Sequence, residues 1–227
     1  MKYKIYKNIS LRSAIKCLLA LVFIWANYAN AGRQGKMDYA FTIPYFEGKE
    51  LNFSGGAAAE LNSDPGFGFS FAYNNTDKLA GRVDITFNSI SYDGLRILDD
   101  GSQTKQRIGG SIDSSTIRMG GSYYFFESEF TPFIDANIGW NFFDSNVISG
   151  PPSNVCWWDP WWGYICDSYV PTHTESSFTY GLGLGVRAEL FESNYIRLGY
   201  FVDFIDFDKV SGTEDFNAFV LEFGLSY

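Results

Sequence analysis

The closing stretch "NAFVLEFGLSY" (217–227) decides how the rest of the chain is read. Phe219, Leu221, Phe223, Leu225 and Tyr227 share one face of an extended strand, and Val220, Glu222, Gly224 and Ser226 share the other. The same period of two recurs upstream in 66–73, 79–88, 116–125, 133–142, 178–190 and 195–205. In 178–190, for example, Phe178, Tyr180, Leu182, Leu184, Val186, Ala188 and Leu190 alternate with Thr179, three glycines, Arg187 and Glu189. Across the seven strands the apolar face holds no charge. The opposite face holds Arg82, Arg118, Arg187 and Arg197 together with Asp84, Asp135, Glu189, Asp203 and Glu222.

Alternation alone also suits a soluble β-sandwich, so the texture of the polar face has to discriminate. That face is rich in Gly, Ser and Asn with isolated charges, and lacks the Lys, Glu and Thr mixture of a solvated sheet. Small residues suit a crowded interior, and large aromatics opposite them suit lipid with interfacial girdles. Strands of about 9–11 residues match a tilted bilayer crossing. The expectation is an all-β fold, an eight-stranded antiparallel transmembrane β-barrel.

The connections fit that asymmetry. Short turns "NNTDK" (74–78), "ESEF" (127–130) and "FESN" (191–194) take turns with longer segments near 92–110, 144–176 and 207–216. Short turns face the periplasm and long ones the exterior. An even strand number requires one more strand before Phe67, either "DYAFTIPYF" (38–46) or "ELNFSGGAAAEL" (50–61). We prefer the first, with the second as a hairpin in the first outer segment turning at Gly55-Gly56. Pro44 then needs a bulge or a position where no hydrogen bond is missed.

Residues 1–31 differ in kind. Lys2, Lys4, Lys7, Arg12 and Lys16 precede the apolar run "CLLALVFIW", and "ANA" ends at Ala31. This reads as a signal peptide cut before Gly32, leaving 32–227 as the barrel domain. The leader removes five of the 17 Lys+Arg and none of the 26 Asp+Glu, so the remainder carries 12 against 26, a net of −14. That balance excludes nucleic acid as a partner. The remaining Cys156 and Cys166 are most simply an exported disulfide, and with His173 the sole histidine a zinc site lacks ligands. No metal or cofactor is expected. The acidic segments "LDDGSQTK" (98–105) and "DKVSGTEDF" (208–216) read as solvated loops, since Asp99, Asp100 and Asp208 lack calcium-loop spacing.

The cysteines enclose "CWWDPWWGYIC" (156–166), which holds Trp157, Trp158, Trp161, Trp162 and Tyr164. Asp159-Pro160 marks its turn, with a tryptophan pair on either side. It is read either as an aromatic cap on the barrel rim or as a displayed contact surface. The nine inward charges are read either as a plug of ion pairs or as a narrow small-solute conduit, and inward Phe201 and Tyr124 favour the plug. A lipid-modifying enzyme needs a histidine with serine and carboxylate partners. His173 has only Ser176 or Asp167 for this, and Thr174-Glu175 follow it where lipid A deacylase barrels carry a His-x-Ser-Asn stretch.

"GFGFSFAYNNTDKLAGRVDITF" (66–87) and "LEFGLSY" resemble the small outer-membrane β-barrel superfamily that includes the OmpA transmembrane domain, OmpX and OmpW. "TPFIDANIGW" (131–140), the cysteine loop and "YGLGLGVRAEL" (180–190) look like a proteobacterial branch of it. The resemblance covers essentially all of 32–227. It implies a bacterial outer-membrane location, contact with membrane lipid and lipopolysaccharide, and recognition of terminal Tyr227 by the barrel-insertion machinery. Barrels of this size serve several roles. The reading adopted is a monomeric, non-catalytic structural or interaction protein whose Trp-rich loop meets a surface glycan or other envelope ligand.

Overall fold

The computed structural model describes residues 32–52, 58–97, 105–191, 193–206 and 213–227. Their regular elements are all strands: β1 (Met37–Phe46), β2 (Lys49–Asn52), β3 (Ala58–Leu61), β4 (Gly66–Asn74), β5 (Leu79–Ile97), β6 (Lys105–Tyr124), β7 (Phe130–Ile148), β8 (Ser153–Asp159), β9 (Gly163–Tyr169), β10 (Thr172–Phe191), β11 (Asn194–Asp206) and β12 (Thr213–Ser226). The expected leader 1–31, the expected turn at Gly55-Gly56, and most of the acidic segments 98–105 and 208–216 lie outside the described residues; Lys105 and 213–216, expected as loop, instead belong to β6 and β12, where they pair with β5 and β11.

Eight strands close a ring in the order β1, β4, β5, β6, β7, β10, β11, β12, with β12 pairing back to β1. Every contact in the ring is antiparallel, and the closed ring leaves no free sheet edge, as hydrocarbon requires. The residues assigned to lipid stand on the outside. Tyr39 and Phe71 meet edge to face at 5.9 Å, and Tyr180 stacks on Phe204 at 5.2 Å. Large apolar side chains exposed around the whole ring are the inverse of a water-soluble barrel.

The first strand is 37–46, and "ELNFSGGAAAEL" supplies the β2–β3 hairpin, as expected. Pro44 sits without a bulge, in register with Val220. Met37 donates its N–H to Tyr227 of the β12 side, whereas Phe46 donates to Asp64 on the other side. By parity the nitrogen of Pro44 faces the β4 side, in the short gap between the end of the continuous ladder at Thr42 and Gly68 and the isolated bridge of Tyr45 with Pro65. The missing N–H falls in that interruption of the ladder.

The segments beyond the membrane differ from expectation. Among the described residues of 92–110 and 144–176 most of the chain is paired strand. The β5–β6 ribbon continues to Ile97 and Lys105, and the β7–β10 ribbon continues to Ile148 and Thr172. Pairing between β6 and β7 stops at Asp113 and Asp144, where the two ribbons part. There the end of β7 meets water on both faces, so its period of two fades although the pairing does not. The β2–β3 hairpin adds to the β5 ribbon through β3 and buries Leu51 and Leu61 against Ile90, with Phe46, Tyr92, Ile112 and Phe216 around them.

Candidate functional site

On the inner side of the wall Arg82, Arg118, Arg187 and Arg197 form ion pairs with Asp84, Asp135, Glu189, Asp203 and Glu222. Arg82 bridges Asp84 at 2.6 Å and Glu222 at 3.0 Å, and its Nη2 also donates to Ser70 Oγ at 2.7 Å. Arg197 reaches Asp135 at 2.8 Å and Glu222 at 3.4 Å. Arg118 pairs with Asp203 and donates to Thr86 Oγ1 at 3.2 Å. Arg187 holds Glu189 at 2.7 Å.

Sequence reasoning missed two members. Asp38 pairs with Arg187, and its place one residue before the outward Tyr39 would have marked it as inward. Arg33 precedes the first strand and gave no periodic signal. Its guanidinium donates to the carbonyls of Asp77, Phe126 and Ser128, and lies 3.6 Å from Glu189. It thereby ties the turns at 74–78 and 127–130 to the end of β10. Aromatic rings fill the space between charges: Arg187 lies 3.8 Å from the Tyr195 ring centre and Arg197 lies 3.9 Å from that of Phe133. Phe133 and Tyr195 were also missed, because each sits at the first turn of a strand where alternation has barely begun.

Between Arg82, Arg118, Asp135 and Phe201 a cavity of about 30 Å³ remains, on the scale of one water. A larger cavity of about 840 Å³ lies at the outer end, lined by Asn88, Ser114, Phe143, Asp144 and Glu175 among others, at the level where β6 and β7 separate. The inward charges thus form a packed, mutually paired layer beneath an open vestibule.

The aromatic stretch is a separate two-stranded sheet, β8–β9, at the head of the β7–β10 ribbon. Cys156 and Cys166 face each other in register and are joined as a disulfide. The turn itself is Pro160–Trp162, so the second tryptophan pair occupies the apex instead of flanking it. Asp159 Oδ1 accepts the N–H groups of Trp161 at 2.8 Å and Trp162 at 2.9 Å, an Asx-type turn that fixes the apex. Gly163 follows at φ 74°, a left-handed position that favours glycine. Trp158, Trp161 and Trp162 are 78, 87 and 79% exposed, Tyr164 is 60% exposed, and Trp157 is half-covered on the opposite face of the hairpin. These rings do not lie down on the barrel rim.

His173 lies on β10 near the outer end, exposed, and its carbonyl accepts from Ser145 Oγ. Among the described residues no hydrogen bond joins its imidazole to Ser176 or Asp167, and no group of three potential metal ligands occurs. 

No family model matches this sequence, and none of the curated proteins does. Solved structures match its fold. The outer membrane protein OprG of Pseudomonas aeruginosa is similar at a TM-score of 0.55 and 12% identity, over 88% of this chain and 99% of that one. Neisserial surface protein A is similar at a TM-score of 0.49 and 15% identity, over 85% of this chain and 98% of that one. At such identity the likeness is one of fold: the chain has the architecture of the small eight-stranded outer-membrane barrels. In that architecture the short turns are periplasmic and the long ribbons external.

Proposed function

We propose, from the premise that this is an outer-membrane barrel, that it is an interaction protein which displays the β8–β9 hairpin at the cell surface and does not conduct solute or catalyse a reaction. The observation that carries the reading is the exposure of Trp158, Trp161 and Trp162 on a disulfide-closed hairpin with its own sheet. Apolar surface of that density mostly marks contact with something. A covalent staple lowers the ordering cost of such contact. The lumen supports the non-conducting part, since paired charges and rings crowd it and the cavity between Arg82, Arg118, Asp135 and Phe201 is about 30 Å³. Residues 1–31 serve in this reading as an export leader, and Tyr227 as the insertion signal.

The test uses bacteria displaying the full chain, presented with immobilised neutral glycans, sulfated glycans and supported lipid bilayers. Wild-type cells should be retained by at least one surface. A variant with Trp157, Trp158, Trp161 and Trp162 all changed to Ala, displayed in equal amount, should be retained about tenfold less. Equal retention of the two, or retention by none of the surfaces, overturns the reading. Discrete conductance steps in planar bilayers would overturn the non-conducting part separately.

A further inference from the structure

We infer that the partner of the hairpin is a charge-neutral lipid surface, into whose interfacial zone Trp158, Trp161, Trp162 and Tyr164 insert. This rests on the interaction reading above and names its partner. Four properties of the apex carry it.

The first is shape. The apex is convex and its rings stand freer than the aromatics already facing lipid: Phe142 and Phe67 on the wall are about half exposed, whereas Trp161 is 87% exposed. A convex tip of indoles suits the membrane–water interface, where the ring buries its body and keeps its N–H hydrated.

The second is the state of the backbone. Entering an interface strips water from main-chain donors, which is costly where they lack partners. Pro160 has no N–H, and those of Trp161 and Trp162 are already accepted by Asp159 Oδ1. The turn can be dehydrated without leaving these donors empty.

The third is charge. Residues 149–171 contain Asp159 and Asp167 and no Lys, Arg or His. Lipopolysaccharide phosphates, sulfated glycans and anionic lipids are held by cations, and here they would meet only carboxylates. The same repulsion keeps the hairpin off the lipopolysaccharide leaflet in which the barrel itself sits. A zwitterionic bilayer, such as one of phosphatidylcholine, imposes no such cost.

The fourth is the scarcity of side-chain hydrogen-bonding groups beside the rings. Stacking of a neutral sugar on an indole normally comes with polar partners for its hydroxyls. At the apex the Asp159 carboxylate is engaged with the backbone, and lower down Ser168 donates to Asn154 at 2.9 Å. Trp158 and Tyr164 are tilted 55° to one another and do not form a flat platform.

The experiment uses the full chain folded in phosphatidylcholine nanodiscs, mixed with sedimentable vesicles. Vesicles of pure phosphatidylcholine should bind it equally in 50 and 500 mM NaCl, and vesicles with added phosphatidylglycerol should bind it less. Trp161→Ala/Trp162→Ala, checked for folding by gel mobility, should lose about tenfold in binding. A measurement on the unmutated chain stands beside it: vesicles of brominated phosphatidylcholine should quench its fluorescence, because the wall residue Trp140 faces only the unbrominated disc. Binding that needs phosphatidylglycerol, that salt abolishes, or that survives the double substitution overturns the inference, as does absence of quenching. If vesicles fail while cells still adhere to a glycan through the hairpin, the interaction reading stands and its lipid partner falls. If both fail, both fall.

Discussion

Arg187 on β10 and Asp38 on β1 form an ion pair across the lumen between residues 149 positions apart, and both side chains are almost wholly buried. Tyr124 OH receives Arg187 Nη1 at 3.2 Å, and the Tyr195 ring lies 3.8 Å from the guanidinium. Removing Asp38 leaves the buried guanidinium with Glu189 as its remaining carboxylate, in a place that water does not reach. Asp38→Ala should therefore lower stability by about 3–5 kcal/mol, read by urea unfolding of the barrel in lipid vesicles. The double variant Asp38→Leu/Arg187→Met should recover most of the loss, because apolar residues of similar volume replace a buried pair at little cost. A double variant as unstable as the single one would mean that packing, and not charge, is what Asp38 supplies.

The glycines of the inner face can be tested in the same assay. Gly224 is paired with Tyr195, and a Cβ on it would lie 2.2 Å from the Tyr195 ring. That ring cannot move freely, since its hydroxyl donates to Glu222 at 3.0 Å and Arg187 stacks on its face. Gly224→Ala should cost about 1–3 kcal/mol as an overpacking defect. Gly81, on the lipid side, has nothing within 4 Å of the same position, so Gly81→Ala should be neutral or slightly stabilising. Equal effects at the two sites would show that the inner glycines are not there to make room for rings.

The outer face should respond to charge instead of volume. Leu184 is directed into lipid near the middle of its strand's apolar run. Leu184→Arg should cost about 2–4 kcal/mol in vesicle-based unfolding, whereas Leu184→Ala should cost less. If arginine were tolerated there, the wall at that height would not be facing acyl chains.

These three sites show what the sequence made legible. Leu184, Gly224 and Glu222 were assigned to the correct faces by parity alone, because inside a bilayer one face must be apolar at every second residue and any slip would place Arg or Glu in lipid. Asp38 was within reach of the same rule once the strand 37–46 was chosen. Arg33 was not, as it acts from a segment with no period, through carbonyls of distant turns. The ribbons beyond Asp113 and Asp144 escaped for a different reason: out of the membrane, pairing no longer demands alternation. In the Trp stretch, Cys and Asp-Pro signalled a closed turn, but the sequence could not say that both Trp161 and Trp162 stand at its apex.

The outer rim should open as pH falls. Lys49 on β2 reaches Asp215 at 2.7 Å and Glu214 at 2.6 Å on β12, and so fastens the β2–β3 hairpin, which pairs with β5, to β12 as well. Burial alone would lower the Lys49 pKa, but hydrogen bonds to Asp215 and Glu214 outweigh it and hold the ammonium above its ordinary range. The bond from Lys49 likewise holds the Asp215 carboxyl below the usual carboxylate range. A carboxylate with a depressed folded pKa contributes stability that is fully present above its unfolded pKa of about 4, and that is lost as pH falls through the lower folded value. The Lys49 contribution, with its raised pKa, is fully present below about pH 10 and is lost only as pH rises through the folded value. The strap should therefore hold from pH 5 to 9 and loosen below about pH 4. Amide exchange at Leu51 and Ala59, expressed as protection relative to the unstructured rate at each pH, should fall between pH 6 and pH 3. Lys49→Met should show low protection at both values, and protection that is the same at both pH values in the wild type would remove Lys49 and Asp215 as the fastening of the hairpin.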